Sequence, residues 1–297
     1  MSSFLPAVSA LRAAAEPTRL RLLALLARAE LTVGELCEIV GQSQPRVSRH
    51  LKLLSDVGLS NRFREQHWVY YRAPSAGPAR VIVQQLLALV DEHDDVLRRD
   101  RKRLEAVIAE RARRAADELP GISAGASQSV DAILLCELAA EPIGALLDVG
   151  TGAGHLLGLL GAQATRAVGV DISSDALRLA RTNVHGAGLS HCELQRGDMY
   201  DLPFATPTFD TATADRILAK ADRPIAALME IARTLQTGGR LIVIDEFDAL
   251  GANPITTLRT WLQRAGFETS RIHPVDTEST HVLVALARRV AHTTAAA

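Results

Sequence analysis

Hydrophobic positions recur every three to four residues in the N-terminal part of the chain and predict four short helices. Residues 11–15 form the first, and Pro17 begins the second, where its missing N–H is not needed. Thr32 caps the third, which ends at Gly41, and the fourth follows after a short turn. These helices are predicted at 11–15, from 17 onward, at 33–40 and at 43–54. Two helices joined by a glycine-containing turn are typical of a helix-turn-helix.

A strongly β-forming stretch follows the fourth helix. Residues 59–72 alternate between basic and apolar or aromatic side chains and end in HWVYYR, which predicts a β-hairpin with its turn at 65–66. Arg62, Arg64 and Arg72 make this hairpin basic. A basic hairpin after a helix-turn-helix is interpreted as a wing.

The fourth helix has one apolar face and one polar face. Val47, Leu51 and Leu54 are spaced by four and three and are expected to face a core. The remaining side chains suit hydrogen bonds to base edges and phosphates. The predicted DNA-contacting residues are Ser43, Gln44, Arg46, Ser48, Arg49, His50 and Lys52 on this helix, with Arg64 and His67 near the tip of the wing.

A charged segment with an apolar stripe connects the two halves of the chain. Residues 78–119 predict one long amphipathic helix, or two helices with a bend near Asp100. We expect a second copy of the chain to cover its stripe. Residues 121–129 are rich in glycine and serine and predict a flexible connection, followed by a short helix at 131–139.

Short apolar runs alternate with helical periods in the rest of the chain. The apolar runs lie at 145–149, 167–170, 193–196, 209–213 and within 235–246, and a closing pair lies at 267–272 and 281–286. Alternation of this kind predicts a three-layer α/β domain with a largely parallel sheet.

Composition narrows the class of protein. A chain of 297 residues with 47% hydrophobic and 23% charged residues is typical of a globular protein with two domains. No apolar run approaches the ~20 residues of a membrane helix, so no membrane association is predicted. Three widely separated cysteines give no disulfide framework, and a cytoplasmic location is the simplest interpretation.

Charge is distributed unevenly along the chain. Residues 1–80 hold 11 Lys and Arg against 6 Asp and Glu, a net charge of +5, and the remainder has a net charge of −6. A polyanionic partner for the first part would explain this asymmetry, and so would chance surface composition.

The glycine spacing after the first C-terminal strand is the main chemical motif. Gly150, Gly152 and Gly154 read GxGxG, with His155 where the dinucleotide fingerprint has its third glycine. Asp171 lies 21 residues after Gly150, where an acid at a strand tip accepts hydrogen bonds from ribose hydroxyls.

This arrangement resembles motif I of the class I S-adenosylmethionine (SAM)-dependent methyltransferases. The resemblance implies a Rossmann-like domain that binds SAM or S-adenosylhomocysteine (SAH), with an acid near 198 on the adenine amine and the next residue against the ring. Asp148 as a turn cap and Met199 as a core residue remain alternatives. The implied ligand-binding residues are Asp148, Gly150, Thr151, Gly152, Gly154, Asp171, Ile172, Asp198, Met199 and Asp215.

The N-terminal motifs resemble another family. AEPTRLRLLALL at 15–26, SQPRVSRHLKLLSDVGL at 43–59 and HWVYYR at 67–72 are similar to the ArsR/SmtB winged-helix transcriptional regulators. The resemblance implies a homodimer on a palindromic DNA operator, with the long helix at the dimer interface.

Many members of that family bind metals, and the equivalent positions here do not support it. In ELTVGELC, Thr32 and Gly34 stand where two sulfur ligands would be, which leaves Cys37 alone. Asp91 and His93 match one zinc pair, but Leu104 stands at the second histidine position and cannot bind a metal. No metal is expected.

Two functions remain open from the sequence. The first is a DNA-binding repressor whose methyltransferase-like domain binds SAM or SAH as effector and acts through the long helix, with methionine-cycle genes as targets by the resemblance. The second is an active methyltransferase on a small metabolite, with the winged helix for regulation or dimerisation. Residues 215–224 contain neither histidine nor aromatic residues, and no catalytic residue is assigned. His155, His191 and Tyr200 are acid–base candidates only.

The predicted fold is therefore multidomain. An N-terminal winged helix-turn-helix (α+β) and a C-terminal α/β Rossmann-like class I methyltransferase fold are joined by a long dimerisation helix. The predicted limits are 1–76 for the winged helix, 77–119 for the helix, 120–130 for the linker, 131–288 for the ligand domain and 289–297 for a disordered tail.

Overall fold

A computed structural model describes the chain at residues 4–65, 68–75, 77–91, 93–118, 128–189, 191–205, 207–276 and 281–290. The chain divides into two units, which are described separately. The first comprises residues 1–120 and 181–191, and the second comprises residues 121–180 and 192–297. Residues 120–127 of the predicted linker (120–130) and residues 291–297 of the predicted tail (289–297) lie outside the described residues, whereas a helix already begins at Gln128 and a strand continues to Arg289.

The first unit contains the predicted helix-turn-helix and wing. Its helices are α1 (Phe4–Ala14), α2 (Pro17–Leu26), α3 (Val33–Val40) and α4 (Gln44–Asp56). Strands β1 (Leu31–Thr32), β2 (Asn61–Glu65) and β3 (Trp68–Arg72) form an antiparallel sheet in the order β1-β3-β2. The hairpin β2–β3 is the predicted wing, while the two-residue strand β1 was not predicted.

Local signals fix the limits of α3. The hydroxyl of Thr32 accepts a hydrogen bond from the amide of Glu35, whose carboxylate accepts one from the amide of Thr32, so a complete capping box begins the helix. Gly41 ends it with a φ of 69°, a conformation that glycine adopts without strain.

The connecting segment forms two helices, as one of the two alternatives predicted, but the interruption lies before Asp95 rather than near Asp100. α5 spans Gly77–Ala88 and α6 spans Asp95–Glu118, so the break lies at 89–94. Part of the predicted apolar stripe is covered within the unit itself, since Leu104 and Val107 of α6 are buried in the core that α2 and α3 share.

A charged pair also fixes α6 to the first unit. Arg21 on α2 donates to both carboxylate oxygens of Asp100, at 2.6 and 2.8 Å, and Asp100 is buried. The planar guanidinium of Arg21 therefore compensates the buried charge of Asp100 through two hydrogen bonds. Asp100 therefore lies inside a helix rather than at a bend.

The second unit has the predicted α/β architecture. Its seven strands follow the order β6-β5-β4-β7-β8-β10-β9, all parallel except β10, which is antiparallel to both neighbours. The strands are β4 (Ala145–Val149), β5 (Arg166–Asp171), β6 (Cys192–Arg196), β7 (Phe209–Asp215), β8 (Leu235–Glu246), β9 (Phe267–Asp276) and β10 (His281–Arg289). The helices are α7 (Gln128–Leu138), α8 (His155–Leu160), α9 (Ser174–Gly186), α10 (Pro224–Thr234) and α11 (Pro254–Arg264).

This sheet places a crevice at the carboxyl end of β4. The chain passes from β4 to β5 on one side, and β7 pairs with β4 on the other, so the strand order reverses there. Ligands of doubly wound sheets bind at such a reversal. The glycine turn of residues 150–154 lies directly after β4. Among the described helices, none is long and apolar enough to cross a membrane.

Candidate DNA interface and ligand site

The exposed face of α4 is the candidate DNA interface in the first unit. Val47, Leu51 and Leu54 are completely buried, as their spacing predicted. Three cationic side chains are exposed at steps of three residues, which places them along one side of the helix. The predicted contacts that the structure leaves exposed here are Ser43, Gln44, Arg46, Arg49 and Lys52, and Ser48 is half-buried.

His50 differs from the other predicted DNA contacts. Its side chain is half-buried, and Nδ1 lies 3.6 Å from the carboxylate of Glu16, which caps α2. The structure therefore directs His50 toward α2 and does not bring it to the exposed row. Lys52 remains on that row, although its ammonium pairs with Asp56 one turn later at 2.8 Å.

The wing is held together by an aromatic pair on its two strands. The rings of Phe63 and Tyr70 stack with their centroids 5.7 Å apart. Arg64 is exposed on β2, and Trp68 on β3 leaves 54% of its surface exposed. Trp68 was not among the predicted contacts, although a large exposed aromatic residue on a wing indicates a contact surface. His67 lies outside the described residues.

The glycine turn after β4 is the candidate ligand site in the second unit. Gly150, Gly152 and Gly154 have φ values of 71°, 52° and 80°, which explains the three glycines. A Cβ on Gly150 would lie 2.4 Å from the side chain of Ile217, whereas one on Gly152 would have no neighbour closer than the carbonyl oxygen of Gly150 at 4.0 Å. The open side of Gly152 is where a ligand could approach the backbone closely.

Asp148 shapes this turn from the inside. Its two carboxylate oxygens accept hydrogen bonds from the hydroxyls of Thr151 and Thr213, at 2.6 and 2.7 Å. Burial raises the pKa of Asp148 to about 6, while the two hydroxyl hydrogen bonds oppose that shift. These contacts fit a carboxylate that holds the loop to β7, the turn-cap alternative.

Asp171 stands at the end of β5 and faces the turn. Its carboxylate accepts hydrogen bonds from the amide of Gly152 at 2.9 Å and from the amide of Ser173 at 2.8 Å. Each oxygen keeps a second lone pair, so the group can also accept two ribose hydroxyls. The structure thus brings together the glycine turn and the acid that the sequence places 21 residues further on.

The adenine-side candidates lie at the carboxyl ends of β5 and β6. Ile172 is 63% exposed directly after Asp171. Asp198 is exposed, and its carboxylate accepts a hydrogen bond from the amide of Tyr200. Met199 packs against the main core and keeps part of its side chain accessible. Ile172 and Met199 are suited to contact the faces of an adenine ring, and Asp198 is suited to accept a hydrogen bond from its amine.

The carboxyl ends of β7 and β8 carry charged groups that bond to the chain itself. Arg216 directly follows β7 and has a φ of 52°, and its guanidinium pairs with Asp215 at 3.0 and 3.2 Å. Asp245 at the end of β8 is buried, which raises its pKa, and it accepts hydrogen bonds from two backbone amides. Asp215, a predicted ligand contact, is therefore engaged by its neighbour.

The acid–base candidates of this unit also have partners. The Nε2 atom of His155 lies 2.9 Å from the carboxylate of Asp131 on α7. The hydroxyl of Tyr200 accepts a hydrogen bond from the amide of Arg223, whose guanidinium stacks on the tyrosine ring. His191 lies half-buried in the first unit. No catalytic group is assigned to these residues.

The fold requires glycine at Gly169, and the sequence motifs did not predict this. A Cβ on this residue of β5 would lie 2.6 Å from Leu157 and 2.8 Å from the hydroxyl of Thr151. Gly169 therefore allows α8 and the glycine turn to pack closely on the sheet, the role that a third turn glycine has in the dinucleotide fingerprint. Glycine inside an apolar strand was the available signal.

Among the residues that the structure describes, no group of three or more His, Cys, Asp and Glu side chains could hold a metal ion. Cys37 is half-buried, and burial raises the pKa of its thiol, which disfavours the thiolate that a metal would need.

Comparison with known proteins gives a match for each unit. Residues 16–60 match the bacterial regulatory protein, arsR family, and residues 147–243 match a methyltransferase domain. The arsenical resistance operon repressor of Escherichia coli K12 is 41% identical over 78 residues, which is 26% of this chain and 67% of the repressor.

Two relatives extend the comparison. Demethylmenaquinone methyltransferase of Thermobifida fusca is 30% identical over 121 residues, which is 41% of this chain and 51% of the enzyme. A 37.1 kDa protein of transposon TN4556 from Streptomyces fradiae is 34% identical over 121 residues, 40% of this chain and 34% of that protein. The chain therefore spans about a third of the length of the Streptomyces protein and about half that of the Thermobifida enzyme.

The fold and the comparisons together define a regulator domain with a winged helix-turn-helix and a class I methyltransferase domain in one chain. The chain belongs to the ArsR family of bacterial regulatory proteins.

Proposed function

We propose that this protein is a dimeric transcriptional repressor whose methyltransferase domain binds SAM or SAH as an effector. The proposal rests on a contrast, within the second unit, between the glycine turn and the carboxyl ends of β7 and β8. The glycine turn and Asp171 form a site that a ligand can approach, whereas Asp215, Arg216 and Asp245 at the ends of β7 and β8 bond to the chain itself and offer no assigned acid–base group. Such a domain is better suited to binding the nucleoside than to transferring its methyl group.

The ligand would be held by residues already described. Asp171 would accept the ribose hydroxyls, Asp198 the adenine amine, and Ile172 with Met199 would contact the ring. The open side of Gly152 would admit the ligand to the backbone. SAM supplies a transferable methyl group on a positively charged sulfur when bound, and SAH has neither the methyl group nor that charge.

The DNA half of the proposal rests on α4 and the wing. The exposed row of Arg46, Arg49 and Lys52 would contact base edges and phosphates in the major groove, and Arg64 on the wing would contact the neighbouring backbone. A homodimer would place two such rows on a palindromic operator. Genes of the methionine and SAM cycle are the proposed targets, because their products set the concentration of the proposed effector.

Exposed apolar side chains support the homodimer. Leu11 on α1 and Val81 on α5 are exposed, and Leu89, directly after α5, has 84% of its surface exposed. Large accessible apolar side chains of this kind would be covered by a second copy.

The alternative function is a methyltransferase acting on a small metabolite. The Thermobifida relative is named as a methyltransferase, and this similarity favours keeping the alternative. It predicts that SAM is converted to SAH when an acceptor is present, and the regulator proposal does not require turnover.

One titration tests the proposal against the alternative. A duplex selected from a random-sequence pool by the ligand-free protein is titrated with protein alone, with SAM and with SAH, while each SAM sample is assayed for SAH formation. The proposal predicts that at least one nucleoside changes DNA affinity by about fivefold or more, the usual range of allosteric coupling. Unchanged affinity with both nucleosides would reject the effector role, and SAH formation would support the enzyme.

A further inference from the structure

A buried cluster of charged and aromatic side chains lies within the first unit at the base of the wing. Glu30, directly before β1, has only 3% of its side chain exposed. One of its carboxylate oxygens accepts a hydrogen bond from Arg72 of β3 at 2.9 Å, and the other accepts one from Arg181 of α9 at 2.7 Å. Arg181 is completely buried.

Arg181 also contacts both strands of the wing. Its guanidinium lies 4.4 Å from the ring centroid of Tyr70 on β3 and 5.6 Å from that of Phe63 on β2. A guanidinium at these distances from an aromatic face is attracted to it. Arg181 therefore lies between a buried acid and the stacked aromatic pair that holds the two wing strands together.

The charges of the cluster depend on one another. Burial alone would raise the pKa of Glu30, but Arg181 and Arg72 hold that pKa below its ordinary value, so the carboxylate is ionised. A buried ion that loses its partner is strongly destabilising. Movement of Arg181 away would leave Glu30 with Arg72 as its remaining cationic partner and would remove the cation from the two wing rings, so Arg181 stabilises the arrangement of the wing base.

The helix that carries Arg181 begins next to the ligand site. α9 starts at Ser174, three residues after Asp171, and Arg181 lies seven residues further along it, which is about 10 Å along the helix axis. Residues 174–180 of the helix belong to the second unit, and residues 181–186 belong to the first. A second residue of the same helix, His185, lies with its Nε2 atom 3.5 Å from the backbone amide of Glu30.

We propose that Arg181 positions the wing strands for DNA contact and transmits changes at Asp171 to them along α9. A short, continuous helix has few ways to deform, so a ligand that shifts its first turn also biases its last turns. The transmitted part rests on the proposed function, and the positioning of the wing does not. The segment of α5 and α6, which the sequence suggested for this role, is not needed.

The test uses variants that do not leave an ionised Glu30 without a cation at position 181, and the amide oxygen that Glu30→Gln introduces can still accept the hydrogen bond from Arg72. The double variant Glu30→Gln/Arg181→Met removes both charges of the pair, and Arg181→Lys keeps a cation without the planar guanidinium. The matched control is Arg178→Met, one turn earlier on α9, where the side chain is 28% exposed and lies 3.8 Å from Asp175 of its own helix.

Three measurements are made on the full-length protein. Hydrogen exchange follows the amides of 61–65 and 68–72, with the amides of α3 as the internal reference. Fluorescence anisotropy measures affinity for the selected duplex with and without saturating SAM or SAH. Calorimetry measures the affinity for each nucleoside alone.

The proposal predicts a selective loss in the double variant. The wing amides exchange about tenfold faster or more while the α3 amides are unchanged, because only the wing has lost its support. Ligand-free DNA affinity falls, and the effect of the nucleoside on DNA affinity falls to within about twofold of none, although nucleoside affinity itself stays within about twofold. Arg181→Lys retains part of the ligand effect, and Arg178→Met behaves as wild type.

Two results would overturn the proposal. One is a double variant whose wing amides exchange as in wild type. The other is a double variant that keeps the full ligand effect of the wild type on DNA affinity. If the wild type itself shows no ligand effect, the proposed function fails instead, and the exchange result alone decides whether Arg181 positions the wing.

Discussion

The buried carboxylate of Asp148 makes a quantitative prediction about the second unit. Its pKa is raised to about 6, against an ordinary value of 3.8, chiefly because burial disfavours its charge. The native state therefore keeps a proton that the unfolded state releases as the pH rises above about 4. The group contributes its full stability below the unfolded pKa, and that contribution is lost as the pH rises through about 6.

The size of this effect follows from the two pKa values. Between the fully protonated reference and a pH of about 7.5, the loss is about 3 kcal/mol, and at a pH of about 5 it is about half of that. Asp148→Asn removes the titrating group while its amide can still bond to Thr151 and Thr213. The stabilisation of the variant relative to wild type is therefore expected to grow by about 1 to 2 kcal/mol from the lower to the higher pH.

Urea unfolding measures the difference directly. Trp261 lies on α11 against the core of the second unit, so a Trp68→Phe background makes tryptophan fluorescence report on that unit alone. The free energy of unfolding is measured in this background with and without the Asp148→Asn substitution, at both pH values. A stability difference that is the same at both pH values, or one that shifts in favour of wild type as the pH rises, would refute the account of Asp148.

Three further substitutions test separate parts of the account. Arg49→Ala is expected to weaken binding to the selected duplex by about 1–3 kcal/mol, the range for a base contact, with Arg113→Ala as an exposed control; equal affinity for the two variants in anisotropy would remove Arg49 from the interface. Asp171→Ala is expected to abolish nucleoside binding in calorimetry, since it removes the acceptor for the ribose hydroxyls, while ligand-free DNA affinity is kept; loss of both would indicate misfolding. Leu89→Asp is expected to convert the dimer to monomer in sedimentation velocity, because burial of a leucine contributes about 1.5–3 kcal/mol for each copy; an unchanged dimer would place the interface elsewhere.

Local chemistry explains which parts of the fold the sequence predicted. The limits of α3 depend on Thr32, Glu35 and Gly41, which act within one turn of the helix, so they can be read from neighbouring residues. The glycine turn is local in the same way. The strand and helix alternation of the second unit follows from apolar periods that the observed elements reproduce within a few residues.

Contacts between distant residues explain what the sequence did not predict. The apolar stripe of 78–119 continues through the break at 89–94, so periodicity alone could not divide it into α5 and α6. Asp100 is buried because Arg21, 79 residues away, pairs with it. Glu30 and Arg181 are 151 residues apart, and two separate charged residues in a sequence carry no sign that they form a buried pair.

The candidate ligand site shows the same difference between features that local sequence predicts and features that depend on the folded structure. Asp171 could be assigned because its distance from Gly150 is characteristic, and the structure brings it to the glycine turn. The sequence did not show that Asp215 pairs with its neighbour Arg216. This pairing depends on the backbone of Arg216, which has a φ of 52° and places the guanidinium on that carboxylate. Gly169 required knowledge of what packs against β5.

Reciprocity of binding is the most direct test of the claim that this regulator responds to a nucleoside. Calorimetry measures the affinity of the full-length protein for SAM and for SAH, first without DNA and then saturated with the selected duplex. Thermodynamic linkage requires DNA to change nucleoside affinity by the same factor by which the nucleoside changes DNA affinity, about fivefold or more if the account holds. Nucleoside affinities that are equal with and without the duplex would contradict it.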